Sequence, residues 1–158
     1  MRTSSAAVDT GAVVTAAAAR SLSVADPTAY AAIYGGRGND VLIGTGWNVL
    51  YGQDGNDRLV GGGGIWGLGA LGGAGNDVLI GDAGENGDEN ILSGGDGNDV
   101  AYGRSGDDLI YGGRGNDRLY GEKGNDRMSG NSGNDVLHGG PGKDILSGGP
   151  GADKVYQN

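Results

Sequence analysis

Gly112-Gly113-Arg114-Gly115-Asn116-Asp117-Arg118-Leu119-Tyr120 is a complete phrase: a turn, Gly-x-x-Gly-x-Asp, followed by three residues suited to a strand. The chain repeats it ten times between Gly35 and Val155, and from Gly94 to Tyr156 seven copies run without a gap. Successive glycines permit positive φ, and so tight a turn can crowd backbone carbonyls around a common point. Period-two alternation makes the eighth position of each unit face inward. In the gapless run that position reads Ala101, Ile110, Leu119, Met128, Leu137, Leu146 and Val155, a continuous apolar ladder. A fixed nine-residue period specifies a solenoid, because each unit is too small to bury a face alone.

Working outward, units that begin at Gly44, Gly61 and Gly81 are degenerate, which makes thirteen strand-forming units in all. Residues 94–158 are regular, 33–93 are partly degenerate, and both belong to one continuous domain. Residues 1–32 are rich in Ala, Ser, Thr and Val and are expected to form a cap or a partner-binding arm, with Asp26-Pro27 as a turn signal.

Composition agrees with a solenoid. Gly at 38 and Pro at 3 in 158 residues would suggest disorder if they were not periodic. Phe and Cys are absent and aromatic residues are 6%, so the chain lacks the material for an ordinary core, and disulfides and thiolate metal sites are excluded. Twenty acidic against eleven basic residues give a net charge of −9, which argues against nucleic acid as a partner, since Lys and Arg must supply attraction to phosphate. No apolar run is long enough for a transmembrane segment, and Met1 to Ala19, with Asp9, makes a poor signal peptide.

With its Gly-x-x-Gly-x-Asp units and nine-residue spacing, the chain resembles the RTX (repeats-in-toxin) family of calcium-binding repeats. The resemblance implies an all-β fold, a right-handed parallel β-roll in which two nonapeptides make one turn of the coil. Alternate repeats then stack on the same side, and the degenerate units at Gly44, Gly61 and Gly81 are all even-numbered. The resemblance also implies a structural metal and export by type I secretion through an uncleaved C-terminal signal; here Gln157-Asn158 comes directly after the last repeat.

On the odd side the stacking lines up Asp40, Asp57, Asp77, Asp99, Asp117, Asp135 and Asp153. At the strand spacing of about 4.8 Å such a column repels itself. Calcium takes six to eight oxygen ligands, so an ion between consecutive turns can draw on two carboxylates and the surrounding carbonyls. The expected carbonyl donors are Gly95, Gly97, Gly103, Gly106, Gly112, Gly113, Gly115, Gly121, Gly124, Gly130, Gly133, Gly139 and Gly142. Seven odd aspartates enclose six sites, and Asp108, Asp126 and Asp144 on the even side enclose two, about eight calcium ions in all. Asn48 and Asn90 replace the even-side aspartate and should bind more weakly. Asp82, Asn86, Gly87 and Asp88 partly imitate an EF-hand loop but lack its twelfth-position Glu.

Gly67-Leu68-Gly69-Ala70-Leu71-Gly72 spells a dinucleotide-binding pattern without the helix that pattern requires. His138 is the only His and occupies an outward strand position, where a solvated role is expected. No catalytic constellation emerges. An outward apolar stripe on the odd strands, Val41, Ile43, Val60, Val78, Ile80, Val100, Tyr102, Tyr120, Val136 and Tyr156, suggests a surface for self-association, helped by open strand edges. Val13 to Ile33 is expected to fold over the N-terminal end of this stripe.

The expected function is a secreted, extracellular calcium-binding roll without enzymatic activity. It folds on binding calcium and serves as a structural or self-assembling matrix, filament or surface-layer protein. The alternative is an accessory module or fragment of a larger type I-secreted toxin, protease, lipase or polysaccharide-modifying enzyme.

Overall fold

The computed structural model describes residues 4–5, 12–15, 21–24, 31–44, 47–61, 69–82 and 89–157. Every regular element among them is a strand, and none of them forms a helix long and apolar enough to cross a membrane. One sheet contains β1 (Ser4–Ser5), β3 (Leu22–Val24), β5 (Val41–Gly44), β7 (Arg58–Val60), β9 (Val78–Ile80), β11 (Val100–Ser105), β13 (Arg118–Lys123), β15 (Val136–His138) and β17 (Lys154–Tyr156). The other contains β2 (Ala12–Thr15), β4 (Ala31–Arg37), β6 (Asn48–Asp54), β8 (Ala70–Ala74), β10 (Ile91–Asp96), β12 (Leu109–Arg114), β14 (Arg127–Ser132) and β16 (Ile145–Ser147). Consecutive strands alternate between the sheets and every pairing is parallel, so each coil contributes one strand to each side of a parallel β-roll. The strand Ala70–Ala74 occupies the dinucleotide-like stretch, and Gly67 and Leu68 lie outside the described residues.

The register explains the period. Leu92, Ile110, Met128 and Leu146 are successive partners, so an eighteen-residue coil returns the same inward position to the same place. Ile33, Leu42, Leu50, Leu59, Ala70, Leu79, Leu92, Ala101, Ile110, Leu119, Met128 and Leu137 are buried in one continuous core between the sheets. One apolar side chain per nonapeptide is a thin core, and side chains on opposite sheets fill it together.

The ladder departs from expectation at its end. Leu146 is only partly buried, and Val155, expected to point into the core, is 46% exposed because β17 is the edge strand of its sheet. Ile80, expected outward, is 7% exposed and lies in register between Val60 and Tyr102.

Val13 to Ile33 does not cross the outer face, contrary to expectation, wherever it is described. Residues 12–15 pair with β4, residues 22–24 pair with β5, and Ala31 and Ile33 of β4 are buried in the roll. The other residues before Ala31, apart from Ser4, Ser5 and Ser21, lie outside the described residues. Parallel pairing supplies these strands with backbone partners that an overlay on the sheet face would not.

Outward rings stack along the coil. Tyr102, Tyr120, His138 and Tyr156 are register partners on β11, β13, β15 and β17, with ring centroids 5.0, 5.2 and 4.5 Å apart and nearly parallel planes. His138 is therefore packed between two tyrosines rather than simply solvated. Tyr34 and Tyr51 stack in the same way on the opposite sheet, at 4.6 Å.

Candidate metal centre

Turn geometry places the carboxylates. The fourth turn position is Gly in all ten complete repeats, with φ from 104° at Gly38 to 158° at Gly142. A Cβ at Gly115 would also strike the Gly97 carbonyl of the preceding turn, so this position needs Gly for both conformation and stacking. The second position is more permissive: Gln53, Arg104, Glu122 and Asn131 occupy it at φ 69–80°, the left-handed region open to side chains at some cost.

With the turns stacked this closely, the sixth residue is directed inward. Asp40, Asp57, Asp77, Asp99, Asp117 and Asp135 on the odd side and Asp108, Asp126 and Asp144 on the even side are buried, and Asp153 in the last turn is half-buried. The backbone N–H of Asp40 donates to Asp57 Oδ1, and the same bond links Asp57 to Asp77, Asp77 to Asp99, Asp99 to Asp117 and Asp117 to Asp135, each at 2.8 Å. Asp135 continues it to Asp153 at 2.9 Å. On the even side Asp108 donates to Asp126 and Asp126 to Asp144, at 2.9 and 3.0 Å.

Each of these bonds satisfies Oδ1 of the accepting carboxylate, from Asp57 to Asp153 on the odd side and in Asp126 and Asp144 on the even side. The other, Oδ2, is buried without a hydrogen-bond partner in Asp40, Asp57, Asp77, Asp99, Asp108, Asp117, Asp126 and Asp135. A buried charged oxygen left in that state is costly. It borders the first glycine of its own turn together with the carbonyl of the first glycine one coil later: Asp99 Oδ2 with Gly112, Asp108 with Gly121, Asp117 with Gly130, Asp126 with Gly139. A Cβ on that first glycine would collide with both oxygens, so the position is kept open for a pair of acceptors.

Burial pushes these acids up. Asp77, Asp108, Asp117 and Asp126 rise to about 6 and Asp99 to about 7, with burial the leading cause and neighbouring aspartate charges adding to it. The N–H from the preceding turn offsets part of the rise. Asp40, Asp57 and Asp135 are raised for the same leading reason.

This donor set suits a hard cation. All the converging groups are oxygens, and among the described residues no three His, Asp or Glu side chains gather, so backbone carbonyls must complete any coordination shell. Of the carbonyls expected to contribute, Gly112, Gly121, Gly130 and Gly139 stand beside an Asp Oδ2, whereas Gly103 stands beside Asn90. Gly95, Gly97, Gly106, Gly115, Gly124 and Gly133 place theirs against the glycine one coil later. Gly113 is in register with Asn131, and Gly142 lies against Asp144 Oδ1. Asn86, Gly87 and Asp88 of the EF-hand-like stretch lie outside the described residues.

A second ladder went unread in the sequence. Asn39, Asn56, Asn76, Asn98, Asn116 and Asn134, at the fifth turn position, each accept the backbone N–H of the fifth residue one coil later at 2.7–2.9 Å. Its direction is opposite to that of the aspartate bonds, so each odd turn is tied to its neighbours from both sides. The signal was the Asn that precedes Asp in six of the seven odd turns.

A family model for the RTX calcium-binding nonapeptide repeat (4 copies) matches residues 32–46, 44–65, 70–86, 86–119 and 120–155. Comparison with curated proteins found no relative. The matched segments include every aspartate of both columns, in turns whose oxygens fit calcium, and the chain belongs to the RTX calcium-binding nonapeptide repeat family.

Proposed function

We propose that this chain is a secreted, non-enzymatic roll that folds on calcium outside the cell and assembles there as a structural element. The observation that carries this reading is the row of buried aspartates whose Oδ2 atoms have no partner. Two consecutive aspartates and the first-glycine carbonyl between them would hold each ion, giving six odd sites and two even ones. Calcium supplies the positive charge and the demand for six to eight oxygens that these groups leave unmet. Binding free energy is then folding free energy, and a chain short of calcium stays open and exportable. Extracellular calcium modules work at about 10⁻⁴–10⁻³ M, which matches such a switch.

The assembly part of this reading is supported at the C-terminal end of the roll. Ile145, Val155 and Tyr156 on the two edge strands are 61, 46 and 47% exposed beside unpaired backbone groups. Light scattering during calcium addition, with magnesium as control, tests it. Growth of particle size with protein concentration in calcium supports assembly, while a constant monomer size refutes it and leaves a calcium-binding module of a larger system.

A further inference from the structure

The even column does not begin with an aspartate. Asn90 stands where the sixth-position aspartate would be in the degenerate unit that begins at Gly81, and is 1% exposed. Its Nδ2 donates to Asp108 Oδ1 at 2.9 Å, and its backbone N–H reaches the same oxygen at 2.8 Å. The backbone N–H of Asp82 donates to Asn90 Oδ1 at 3.2 Å. Both ends of the amide are therefore assigned by their neighbours, since a carboxylate can only accept and an N–H can only donate.

The consequence appears beside the first glycine. Next to Gly103, two acceptors stand together, Asp108 Oδ2 and the Gly121 carbonyl. Next to Gly81 the carbonyl is Gly103's, and the group beside it is the Asn90 amide, with Cγ and Nδ2 each 3.0 Å from where a Cβ would stand. A donor has replaced an acceptor there, and one of the two negative charges is gone. The repulsion that a divalent ion would relieve is therefore absent from this interval.

We propose that Asn90 is a built-in substitute for calcium. Its side chain closes the interval between Asn90 and Asp108 with hydrogen bonds, so this interval takes no ion and the even metal column starts one coil later, between Asp108 and Asp126. The inference rests on the calcium reading above and adds that the boundary of the column is set by one side chain.

Counting bound calcium by native mass spectrometry at saturating calcium tests it, on the full chain and on Asn90→Asp. The variant is expected to bind one ion more than the wild type, and equal counts would overturn the proposal. Asn90→Ala should keep the wild-type count while needing more calcium to fold; loss of an ion would show Asn90 to be a ligand and would likewise overturn it. Independently of any variant, anomalous scattering from wild-type crystals grown in calcium should show no ion between Asn90 and Asp108, and a peak there refutes the inference. A wild type that binds no calcium at all would remove the calcium reading itself, an outcome distinct from equal nonzero counts.

Discussion

The two sides of the roll treat irregularity differently. On the odd side every turn has six residues and ends in aspartate, although the sequence distance to the next aspartate is 17, 20 and 22 residues for the first three steps. The connecting bond stays at 2.8 Å through all three. The length changes fall on the even side, between Gly44 and Asn48, within 61–69 and within 81–90, where asparagine replaces aspartate in two turns. The odd column is thus the spine that holds register, and the even side absorbs insertions where it does not depend on a metal column.

The sharpest way to break this comparison is to truncate one aspartate on each side. Asp117→Ala interrupts the odd column in its middle, whereas Asp126→Ala empties both even sites but leaves the spine whole. Each should lose two calcium ions by native mass spectrometry. Losing bonds to a charged group costs about 1.5–3 kcal/mol apiece, so both should melt lower. Asp117→Ala should show the larger rise in calcium midpoint, and an equal rise would erase the distinction between the sides.

Acidity sharpens it further. Burial raises Asp77, Asp99, Asp108, Asp117 and Asp126 to about 6–7 in the fold, against about 3.9 in an open chain. A raised carboxyl contributes stability that is fully present below the open-chain value and is lost as pH rises through the folded one. Metal-free protein should therefore gain β structure on acidification from pH 8 to pH 4, measured by circular dichroism in chelator. Loss of structure over that range would contradict the burial of these acids.

Much of this architecture was legible before any coordinates. The nine-residue phrase marks the turns, the eighth position marks the core, and the aspartate phase marks both columns, because each rests on local chemistry repeated many times. Residues 1–30 contain only Gly11 and no such phrase, so β1, β2 and β3 were hidden: their pairing depends on the edge offered by β4 and β5. His138 looked solvated because ring stacking is a relation between strands eighteen residues apart. The Asn39 to Asn134 ladder was missed because a single Asn before Asp reads as an ordinary turn residue.

A smaller effect separates the two glycine positions. Gly115→Ala forces a Cβ into the Gly97 carbonyl at φ 123° and should destabilise by about 1–3 kcal/mol. Gly113 has a similar φ, 121°, and a Cβ there would meet the Gly95 carbonyl, but Gln53, Arg104, Glu122 and Asn131 take this turn position at φ 69–80°, so Gly113→Asn, after the same backbone shift, should cost less than Gly115→Ala. Thermal melts in saturating calcium compare them, and equal costs would contradict the greater permissiveness of the second turn position. Outside the columns no effect on metal is expected: Tyr120→Ser removes two ring contacts worth about 0.5–1.5 kcal/mol each, lowering the melting temperature without changing the calcium count.

The central claim is that calcium in the aspartate columns, and not the thin apolar ladder alone, stabilises the roll. Far-ultraviolet circular dichroism of the chelated chain at pH 7.5, titrated with calcium and separately with magnesium, tests it most directly. The chain should show little ordered structure in chelator and a cooperative gain of β signal with calcium alone. Full β signal in chelator, unchanged by calcium, would contradict it.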